Sequence, residues 1–241
     1  MRVLELWRYP VKSLQGEQLD SVAVMDDGLE GDRRFAIYDL ETGLGLTARR
    51  VPDLLFASAR LRDDGGVDIT LPDGTTSRND ADLSEWLGRR VALRSHDAEV
   101  PRRYENPEVD FEREEEHHWA PFLGAPGAFH DSASVRVSLV STATIRGWDR
   151  RRFRSNVLLG GEGEDALVGS RVTLGEALLE VGQRIERCVM TVRPQPGGIE
   201  RDLGVLRTIA RERDACLAVG ALVSRPGRVS VGDRLERADG R

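Results

Sequence analysis

Residues 56–74 read Phe-Ala-Ser-Ala-Arg-Leu-Arg-Asp-Asp-Gly-Gly-Val-Asp-Ile-Thr-Leu-Pro-Asp-Gly, and this stretch decides the fold class. Apolar and polar residues alternate within Phe56–Leu61 and again within Gly66–Leu71, which is the period of a half-buried β-strand. Asp63-Asp64-Gly65-Gly66 separates the two runs and Pro72-Asp73-Gly74 follows them, and both are typical turn sequences. The stretch therefore predicts two short strands bounded by turns.

The same pattern of short strands and turns extends over most of the chain. Further strands are predicted at Val3–Trp7, Ser21–Val24, Arg34–Tyr38, Val135–Val140, Asn156–Leu159, Arg171–Leu174 and Ala177–Val181. A last hairpin is predicted from Leu217–Val223 through Arg225-Pro226-Gly227 to Val229-Ser230-Val231. Helices are predicted at Ala81–Leu87 with Asn79 or Asp80 as its cap, near Thr142–Trp148, and over Leu203–Glu212 with Asp202 as its cap. The fold class is therefore mainly β, β-barrel-like, with a few short helices in two lobes.

The composition changes between residues 97 and 127. This segment carries four prolines and the acidic run Glu112–Glu116, which is typical of a linker or surface excursion. The sequence thus predicts an N-terminal β domain over residues 1–96 and a second β domain over residues 128–241.

Composition excludes several classes of protein. The chain has 241 residues and a formal net charge of -6, with 39% hydrophobic and 32% charged residues, which is typical of a folded globular protein. The acidity disfavours a general nucleic-acid binder, and no apolar run approaches the roughly 18 residues that would cross a membrane. Two cysteines are too few for a disulfide scaffold or a four-thiolate metal site. We expect a cytoplasmic protein that binds neither nucleic acid nor membrane.

Lys12 is the only lysine among the 35 basic residues, and the other 34 are arginine. A genome that favours arginine codons explains the 34 but not the one exception. An ammonium group is a compact point charge that fits where a planar guanidinium does not. Lys12 is therefore a candidate for a buried anion contact, with chance as the alternative.

The two cysteines differ in their surroundings. Cys188 adjoins Arg187 and lies near Arg184, and neighbouring positive charge lowers the pKa of a thiol towards the reactive thiolate. A thiolate is a nucleophile and a soft metal ligand, although a free cysteine is more often a small buried hydrophobic residue. Cys216 lacks such neighbours, so we expect it to be structural.

Arginines and histidines supply further candidates. The arginine clusters are Arg150–Arg154 with Asn156 after it, Gly31-Asp32-Arg33-Arg34, and Thr47-Ala48-Arg49-Arg50. Such clusters clamp a phosphate through bidentate hydrogen bonds, or they are solvated basic turns. The pair His117-His118 lies in the acidic, proline-flanked segment, so we expect exposure rather than metal binding. His130-Asp131 borders a predicted strand, and both a turn role and a functional role stay open.

Several of these segments, taken in order, resemble the MOSC superfamily, which is named for the C-terminal domain of molybdenum cofactor sulfurases, together with its N-terminal β-barrel companion. Its nearest functional relatives would be the amidoxime-reducing component of mitochondria and its bacterial counterparts. The matching segments are Tyr9-Pro10-Val11-Lys12-Ser13, Gly31-Asp32-Arg33, Thr47-Ala48-Arg49, Leu139-Val140-Ser141, Arg152–Asn156, Arg187-Cys188 with Thr191, and Val231-Gly232-Asp233.

The resemblance implies a molybdenum cofactor of the molybdopterin type. Cys188 would supply the protein thiolate to molybdenum and would be the catalytic residue. The residues implied to bind the cofactor are Lys12, Ser13, Arg33, Ser141, Arg154, Asn156 and Arg187. The chain departs from the family at Ser155, where proline is common, after Glu164-Asp165, where a tryptophan is common, and at Glu186, where the amidoxime-reducing relatives carry a small polar residue. A carboxylate at position 186 would repel the cofactor phosphate or pair with Arg184 or Arg187.

Three functions are compatible with this resemblance. The first is a molybdenum oxidoreductase that transfers an oxo group to or from a small molecule, such as an N-hydroxylated base, with electrons from a separate donor protein. The second is a non-redox carrier of sulfur or of the cofactor on Cys188. The third is an interaction module without chemistry, for which Glu186 is the main argument.

Overall fold

The computed structural model describes residues 1–98, 101–107 and 118–238. The strands are Arg2–Arg8 (β1), Glu17–Leu19 (β2), Ser21–Met25 (β3), Gly28–Leu29 (β4), Phe35–Asp39 (β5), Ser58–Leu61 (β6), Val67–Thr70 (β7), Thr76–Ser77 (β8), Val91–Ser95 (β9), Arg103–Pro107 (β10), Trp119–Leu123 (β11), Val137–Ser141 (β12), Val157–Gly160 (β13), Arg171–Leu174 (β14), Ala177–Glu186 (β15), Cys216–Arg225 (β16), Gly227–Ser230 (β17) and Leu235–Arg237 (β18). The α-helices are Asp80–Leu87 (α1), Thr142–Ile145 (α2) and Leu203–Arg213 (α3), and 3-10 helices cover Pro52–Phe56, Arg150–Arg152, Glu164–Leu167 and Val189–Val192. The prediction of a mainly β fold with short helices is confirmed.

The largest sheet has eight strands in the order β18-β14-β15-β16-β12-β13-β1-β2. Its strands pair antiparallel except for β12 and β13, which run parallel. One face buries a core of aliphatic side chains that includes Leu6, Leu139, Leu174 and Val219. The sheet therefore combines the first strands of the chain with strands from its C-terminal half.

A second core lies under the smaller sheets β5-β9 and β6-β7-β8. Val11 and Leu14 belong to this core, whereas Leu6 belongs to the core of the large sheet. The chain therefore crosses from one core to the other between Leu6 and Val11. This crossing places Lys12 and Ser13 where the two halves of the protein meet.

Local sequence signals predicted several elements correctly. Strands β6 and β7 pair antiparallel with Ser58 opposite Thr70, as the alternation in residues 56–74 indicated, although Phe56 ends a 3-10 helix. The side chain of Asn79 caps α1, and the side chain of Asp202 caps α3. These features depend on neighbours in sequence, which is why periodicity and capping residues identify them.

The predicted hairpin at the C-terminal end is wrong. Strands form on both sides of Pro226, but β16 pairs with β12 and β15, whereas β17 pairs with β3. Both edges of β16 are already occupied within the large sheet. Strand β17 therefore finds its partner near the start of the chain, which local turn chemistry does not reveal.

The segment predicted as a linker carries a two-stranded sheet. Strands β10 and β11 pair antiparallel from Arg103 opposite Leu123 to Pro107 opposite Trp119. Tyr104 of β10 is 3% exposed and belongs to a small aromatic cluster with Tyr38 and Phe129. The acidic run and His117 lie outside the described residues.

Two features bear on the predicted boundaries and location of the protein. Strands β1 and β2 belong to the sheet formed mostly by residues after 136, so hydrogen bonds join the two predicted domains. The boundary at residue 96 stays a prediction.

Among the described residues, no helix has the length and apolar character needed to cross a membrane.

Leu6 and Leu4 offer a matched test of how β1 stabilises the fold. Leu6 is fully buried, whereas Leu4 on the same strand is 43% exposed. We expect Leu6→Ala to lower the free energy of unfolding by about 2–5 kcal/mol, because it leaves a cavity in the core. Leu4→Ala should change it by less than about 1 kcal/mol. Urea unfolding followed by circular dichroism measures both, and equal losses would contradict this account of β1.

Candidate functional site

A cavity of about 480 Å³ lies where the two halves of the chain meet. This volume falls within the range of about 300–1,000 Å³ that is usual for small-molecule and cofactor sites. The predicted site residues that line it are Lys12, Ser13, Arg33, Arg154, Asn156, Arg187 and Cys188. These residues are far apart in sequence, and the fold brings them together around one cavity.

Lys12 is buried in the wall of the cavity. Its ammonium group pairs with the carboxylate of Asp131, donates to the carbonyl oxygen of Phe129 at 3.3 Å, and lies 5.1 Å from the centre of the Tyr104 ring. Tyr104 belongs to β10, in the segment that the sequence predicted as a linker. Lys12 is therefore buried and paired with a carboxylate of the protein itself, and its contact with a bound anion stays a prediction.

Asp131 extends into the cavity, and its side chain is 87% exposed. The protein around it acts to raise the pKa of this carboxyl group, but the charges of Lys12, Arg33 and Arg154 outweigh that effect and hold the pKa well below its usual range. The neighbouring His130 is buried, and burial lowers its pKa to about 4. The imidazole is therefore neutral at pH 7, with Nε2 donating to the carbonyl oxygen of Asp27 at 3.1 Å.

Two arginines lie against the ring of Tyr9. The guanidinium carbon of Arg154 is 4.5 Å from the ring centre, and that of Arg33 is 5.1 Å from it. Arg33 also pairs with Asp32 and donates to the carbonyl oxygen of Arg154 at 3.4 Å. Burial acts to lower the pKa of Arg33, but Asp32 and Asp131 raise it above its ordinary value. Cation–π contacts of this kind fix the direction in which each guanidinium points.

Three lining residues adopt backbone conformations that L-residues rarely use. The φ angles are 72° at Ser13, 52° at Arg33 and 53° at Arg154. Left-handed conformations of this kind cost of order 1–3 kcal/mol each and cluster at functional sites. The coincidence of all three at one cavity supports a functional role for it.

The buried carboxylate of Asp32 joins the segments that carry these residues. Its Oδ1 accepts the backbone N–H of Tyr9 at 2.7 Å, and its Oδ2 accepts the side-chain amide of Asn156 at 3.1 Å. The amide of Asn156 also donates to the carbonyl oxygen of Trp7, and its oxygen accepts from the hydroxyl and backbone N–H of Ser138. Asn156 therefore lines the cavity, yet its side chain is engaged in holding the protein together.

Two arginines that line the cavity have buried guanidinium nitrogens without a hydrogen-bond partner among the described residues. Arg187 donates to the carbonyl oxygens of Leu217 at 2.7 Å and Phe153 at 3.0 Å, but its Nη2 is buried without a hydrogen-bond partner among the described residues. The Nη1 atom of Arg154 is likewise buried and lacks a hydrogen-bond partner among the described residues. Burial lowers the pKa of each guanidinium to about 10, so both stay charged at pH 7. Buried N–H donors in proteins almost always have a hydrogen-bond acceptor, and an anion is one kind of acceptor that would satisfy these two groups.

Cys188 directly precedes the 3-10 helix Val189–Val192, in extended backbone with φ of -116°. The residue is exposed, and it lines the cavity. Its carbonyl oxygen accepts the hydroxyl of Thr191 at 3.0 Å, which fixes the start of the helix. The expectation of a depressed thiol pKa is wrong: the surrounding protein raises the pKa of Cys188, and the Met190 N–H, Arg49 and Arg187 only partly oppose that effect.

The remaining predicted residues have other surroundings. Ser141 is fully buried, and its hydroxyl accepts the N–H of Thr144 at the start of α2, so it does not line the cavity. Cys216 is half-buried at the start of β16. Glu186 lines the cavity but pairs with neither Arg184 nor Arg187: Arg184 bonds Asp214 and the carbonyl oxygen of Arg213.

Sequence reasoning missed several lining residues. Tyr104, Asn106 and Phe122 come from the β10-β11 sheet, and Arg136 follows the loop that carries Asp131. The stretch 103–107 is short and lies between Pro101 and the terminal Pro107, so its sequence did not predict a strand. The sequence suggested a functional role for the pair His130-Asp131. It did not predict the pairing of Asp131 with Lys12, because these residues are 119 positions apart.

The fold and the cavity define a mainly β protein with a cofactor-sized site that combines one open thiol with several buried cations. Family models identify it further. A model described as the MOSC N-terminal beta barrel domain matches residues 1–101, and one described as the MOSC domain matches residues 111–236. The chain therefore belongs to the MOSC family, and the resemblance seen in the sequence is confirmed.

Individual relatives are more distant. The chain is 28% identical over 251 residues to a molybdenum cofactor sulfurase of Drosophila grimshawi, and it spans about a third of that protein's length, because the match covers 93% of this chain and 32% of the relative. Among solved structures, the YuaD protein from Bacillus subtilis aligns with a TM-score of 0.44 and 12% identity over 97% of this chain and 93% of its own. YiiM from Geobacillus stearothermophilus aligns with a TM-score of 0.37 and 15% identity over 58% of this chain and 73% of its own.

The raised pKa of Cys188 predicts slow alkylation at neutral pH. In a Cys216→Ala background, we expect the rate of reaction with iodoacetamide to rise with pH and to reach half its maximum above about 8.5, the ordinary value for cysteine. Mass spectrometry of samples quenched at intervals measures this rate. A rate that is already at its maximum below pH 7.5, as for activated thiolates, would show that the neighbouring cations, rather than reduced hydration in the cavity, control the pKa of the thiol.

Proposed function

We propose that this MOSC protein binds a molybdenum cofactor of the molybdopterin type in the cavity, with Cys188 as the protein ligand to molybdenum. The observation that carries the proposal is the meeting of an open thiol with Lys12, Arg33, Arg154 and Arg187 in one cavity. A thiolate suits a soft metal centre, and guanidinium groups suit a phosphate.

The donor set fits the cofactor in a second respect. The Nη1 atom of Arg154 and the Nη2 atom of Arg187 are buried and lack partners among the described residues, and a phosphate oxygen is the kind of acceptor that would satisfy them. Asp131 already holds Lys12, so an incoming anion would share or replace that contact. Coordination to a metal deprotonates a thiol outright, so the raised pKa of Cys188 is compatible with a ligand role but does not support it.

The activity that we propose is a two-electron oxidoreduction of a small molecule. When bound, the cofactor would supply the redox change and the exchange of an oxo group. The chain itself would hold the cofactor through its cations, set the electronic properties of the metal through Cys188, and shape the space beside the sulfur for substrate. We propose that a separate protein donates the electrons, as the resemblance to the amidoxime-reducing proteins implies.

A second candidate is a non-redox carrier that holds sulfur or the cofactor on Cys188. The similarity to a protein named molybdenum cofactor sulfurase favours it, as does the exposure of Cys188 in the cavity. Mass spectrometry of the purified protein separates the two functions. Stoichiometric molybdenum supports the oxidoreductase, whereas metal-free protein with a persulfide on Cys188 supports the carrier.

Removal of the thiol tests the ligand assignment. In a host that makes the cofactor, we expect Cys188→Ala to lower bound molybdenum at least tenfold, because the metal loses its protein ligand. Thermal unfolding should be nearly unchanged, since the exposed side chain contributes little packing. Cys216→Ala is the matched control and should retain molybdenum. Full molybdenum content in Cys188→Ala, measured by inductively coupled plasma mass spectrometry, would refute the assignment.

Replacing Lys12 with arginine tests whether the shape of the cation matters. The ammonium contacts Asp131, Phe129 and Tyr104 at once, and we expect the larger, planar guanidinium to reproduce these three contacts less well. We expect Lys12→Arg to reduce bound molybdenum several-fold although the charge is unchanged. Arg2→Lys, at an exposed position outside the cavity lining, serves as the reverse exchange and should have no effect. Equal molybdenum in all three proteins would show that the single lysine is an accident of composition.

A further inference from the structure

The two-stranded sheet β10-β11 turns one face towards the cavity. Tyr104 of β10 lies directly opposite Phe122 of β11, and Asn106 is two residues further along β10. Residues opposite each other on neighbouring strands share a face of the sheet, as do residues two apart on one strand. All three side chains line the cavity. We call the pair Tyr104 and Phe122 the aromatic wall.

The fold holds the aromatic wall in one position. The ring centres of Tyr104 and Phe122 are 5.7 Å apart and their planes are inclined by 35°, a separation that is usual for favourable contacts between aromatic rings. The backbone at Gly45 and at Gly124 contacts opposite edges of the Tyr104 ring so closely that a Cβ atom at either position would overlap it. The Tyr104 ring therefore supports Phe122 as a fixed surface.

Phe122 leaves part of its ring open in the cavity. Its side chain is 37% exposed, whereas Tyr104 beneath it is 3% exposed. The next residue, Leu123, points to the opposite face of the strand because side chains alternate, and it does not line the cavity. An open ring surface on a rigid support is suited to stacking with a second planar ring, which removes apolar surface from water.

The other walls of the cavity favour an anion. Of the described residues that line it, seven carry a cationic side chain and two carry a carboxylate. Lys12 connects these cations with the aromatic wall, because its ammonium nitrogen lies 5.1 Å from the centre of the Tyr104 ring. The buried Nη1 atom of Arg154 has no hydrogen-bond partner among the described residues. A surface for a ring and donors for an anion therefore line the same cavity.

We infer that the aromatic wall is a binding subsite for a planar aromatic ring, and that the cavity takes ligands in which such a ring carries a phosphate or another anionic group. The ring stacks on Phe122 while the anionic group lies among the cations. This subsite goes beyond the proposed function, because it requires neither molybdenum nor Cys188. Two sources share the ligand chemistry, namely the ring system of the cofactor and a separate small molecule.

Phenyl phosphate and cyclohexyl phosphate are suitable probes, because they carry the same charge and differ in whether the ring is planar and aromatic. Each ester, and inorganic phosphate, is titrated by calorimetry into full-length protein from a host that does not make the cofactor. The variants are Phe122→Leu, which keeps an apolar side chain but loses the ring, and Phe122→Tyr, which keeps the ring. Leu123→Ala is the matched control on the same strand.

We expect the wild-type protein, Phe122→Tyr and Leu123→Ala to bind phenyl phosphate about threefold or more tightly than cyclohexyl phosphate. In Phe122→Leu this preference should disappear, while the affinity for inorganic phosphate stays unchanged because the cations remain. A wild-type protein that binds neither ester or prefers neither would overturn the inference. A preference that survives in Phe122→Leu, or a loss of inorganic phosphate binding in that variant, would also overturn it.

Molybdenum analysis of the same variants from a cofactor-producing host distinguishes the two sources of the ring. If the ring belongs to the cofactor, Phe122→Leu retains less molybdenum than Leu123→Ala. If it belongs to a separate molecule, both variants retain molybdenum equally and the loaded wild-type protein still prefers phenyl phosphate.

The same measurements separate this inference from the proposed function. Stoichiometric molybdenum in a wild-type protein that shows no preference for phenyl phosphate before loading would overturn the aromatic subsite and leave the proposed function standing. A preference that depends on Phe122, in a protein that never acquires molybdenum, would support the subsite and contradict the proposed function.

Discussion

The buried carboxylate of Asp32 is the contact on which the candidate site depends. It accepts the backbone N–H of Tyr9, the side-chain amide of Asn156 and a guanidinium N–H of Arg33. Through these bonds it ties together three segments that are distant in sequence and that carry Lys12 and Ser13, Arg33, and Arg154. A side chain that accepted fewer hydrogen bonds than Asp32 would leave one or more buried donors without a partner. Each such donor costs about 1–3 kcal/mol of stability.

The arrangement of the two cores explains why a cavity forms at this point. The chain leaves the core of the large sheet at Leu6 and enters the second core at Val11. After Cys188, Val189 packs in a further apolar cluster with Val140 and Phe153, whereas Met190 packs against the second core. Polar residues therefore line the seam where these apolar clusters meet. The left-handed backbone at Ser13, Arg33 and Arg154 is the local cost of directing these residues into the seam.

How much the sequence could predict depended on the range of the contacts. The β6-β7 pair, the capped helices α1 and α3, and the candidates Lys12 and Cys188 follow from neighbours in sequence and from composition. The pairing of β17 with β3, the Lys12–Asp131 ion pair and the position of Ser141 depend on contacts between distant segments. The direction of the Cys188 pKa shift was missed for a related reason: adjacent arginines are visible in a sequence, but the protein that surrounds the thiol in the cavity and reduces its hydration is not.

The central claim is that the thiol of Cys188 and the cations around Tyr9 serve one bound molecule. The most direct test is an anomalous difference map, collected at the molybdenum absorption edge, from crystals of protein expressed in a cofactor-producing host. The account predicts a single molybdenum peak bonded to the sulfur of Cys188, with density for a phosphate among Lys12, Arg33 and Arg154. A molybdenum peak away from Cys188, or an occupied thiol with nothing bound at the cations, would contradict it.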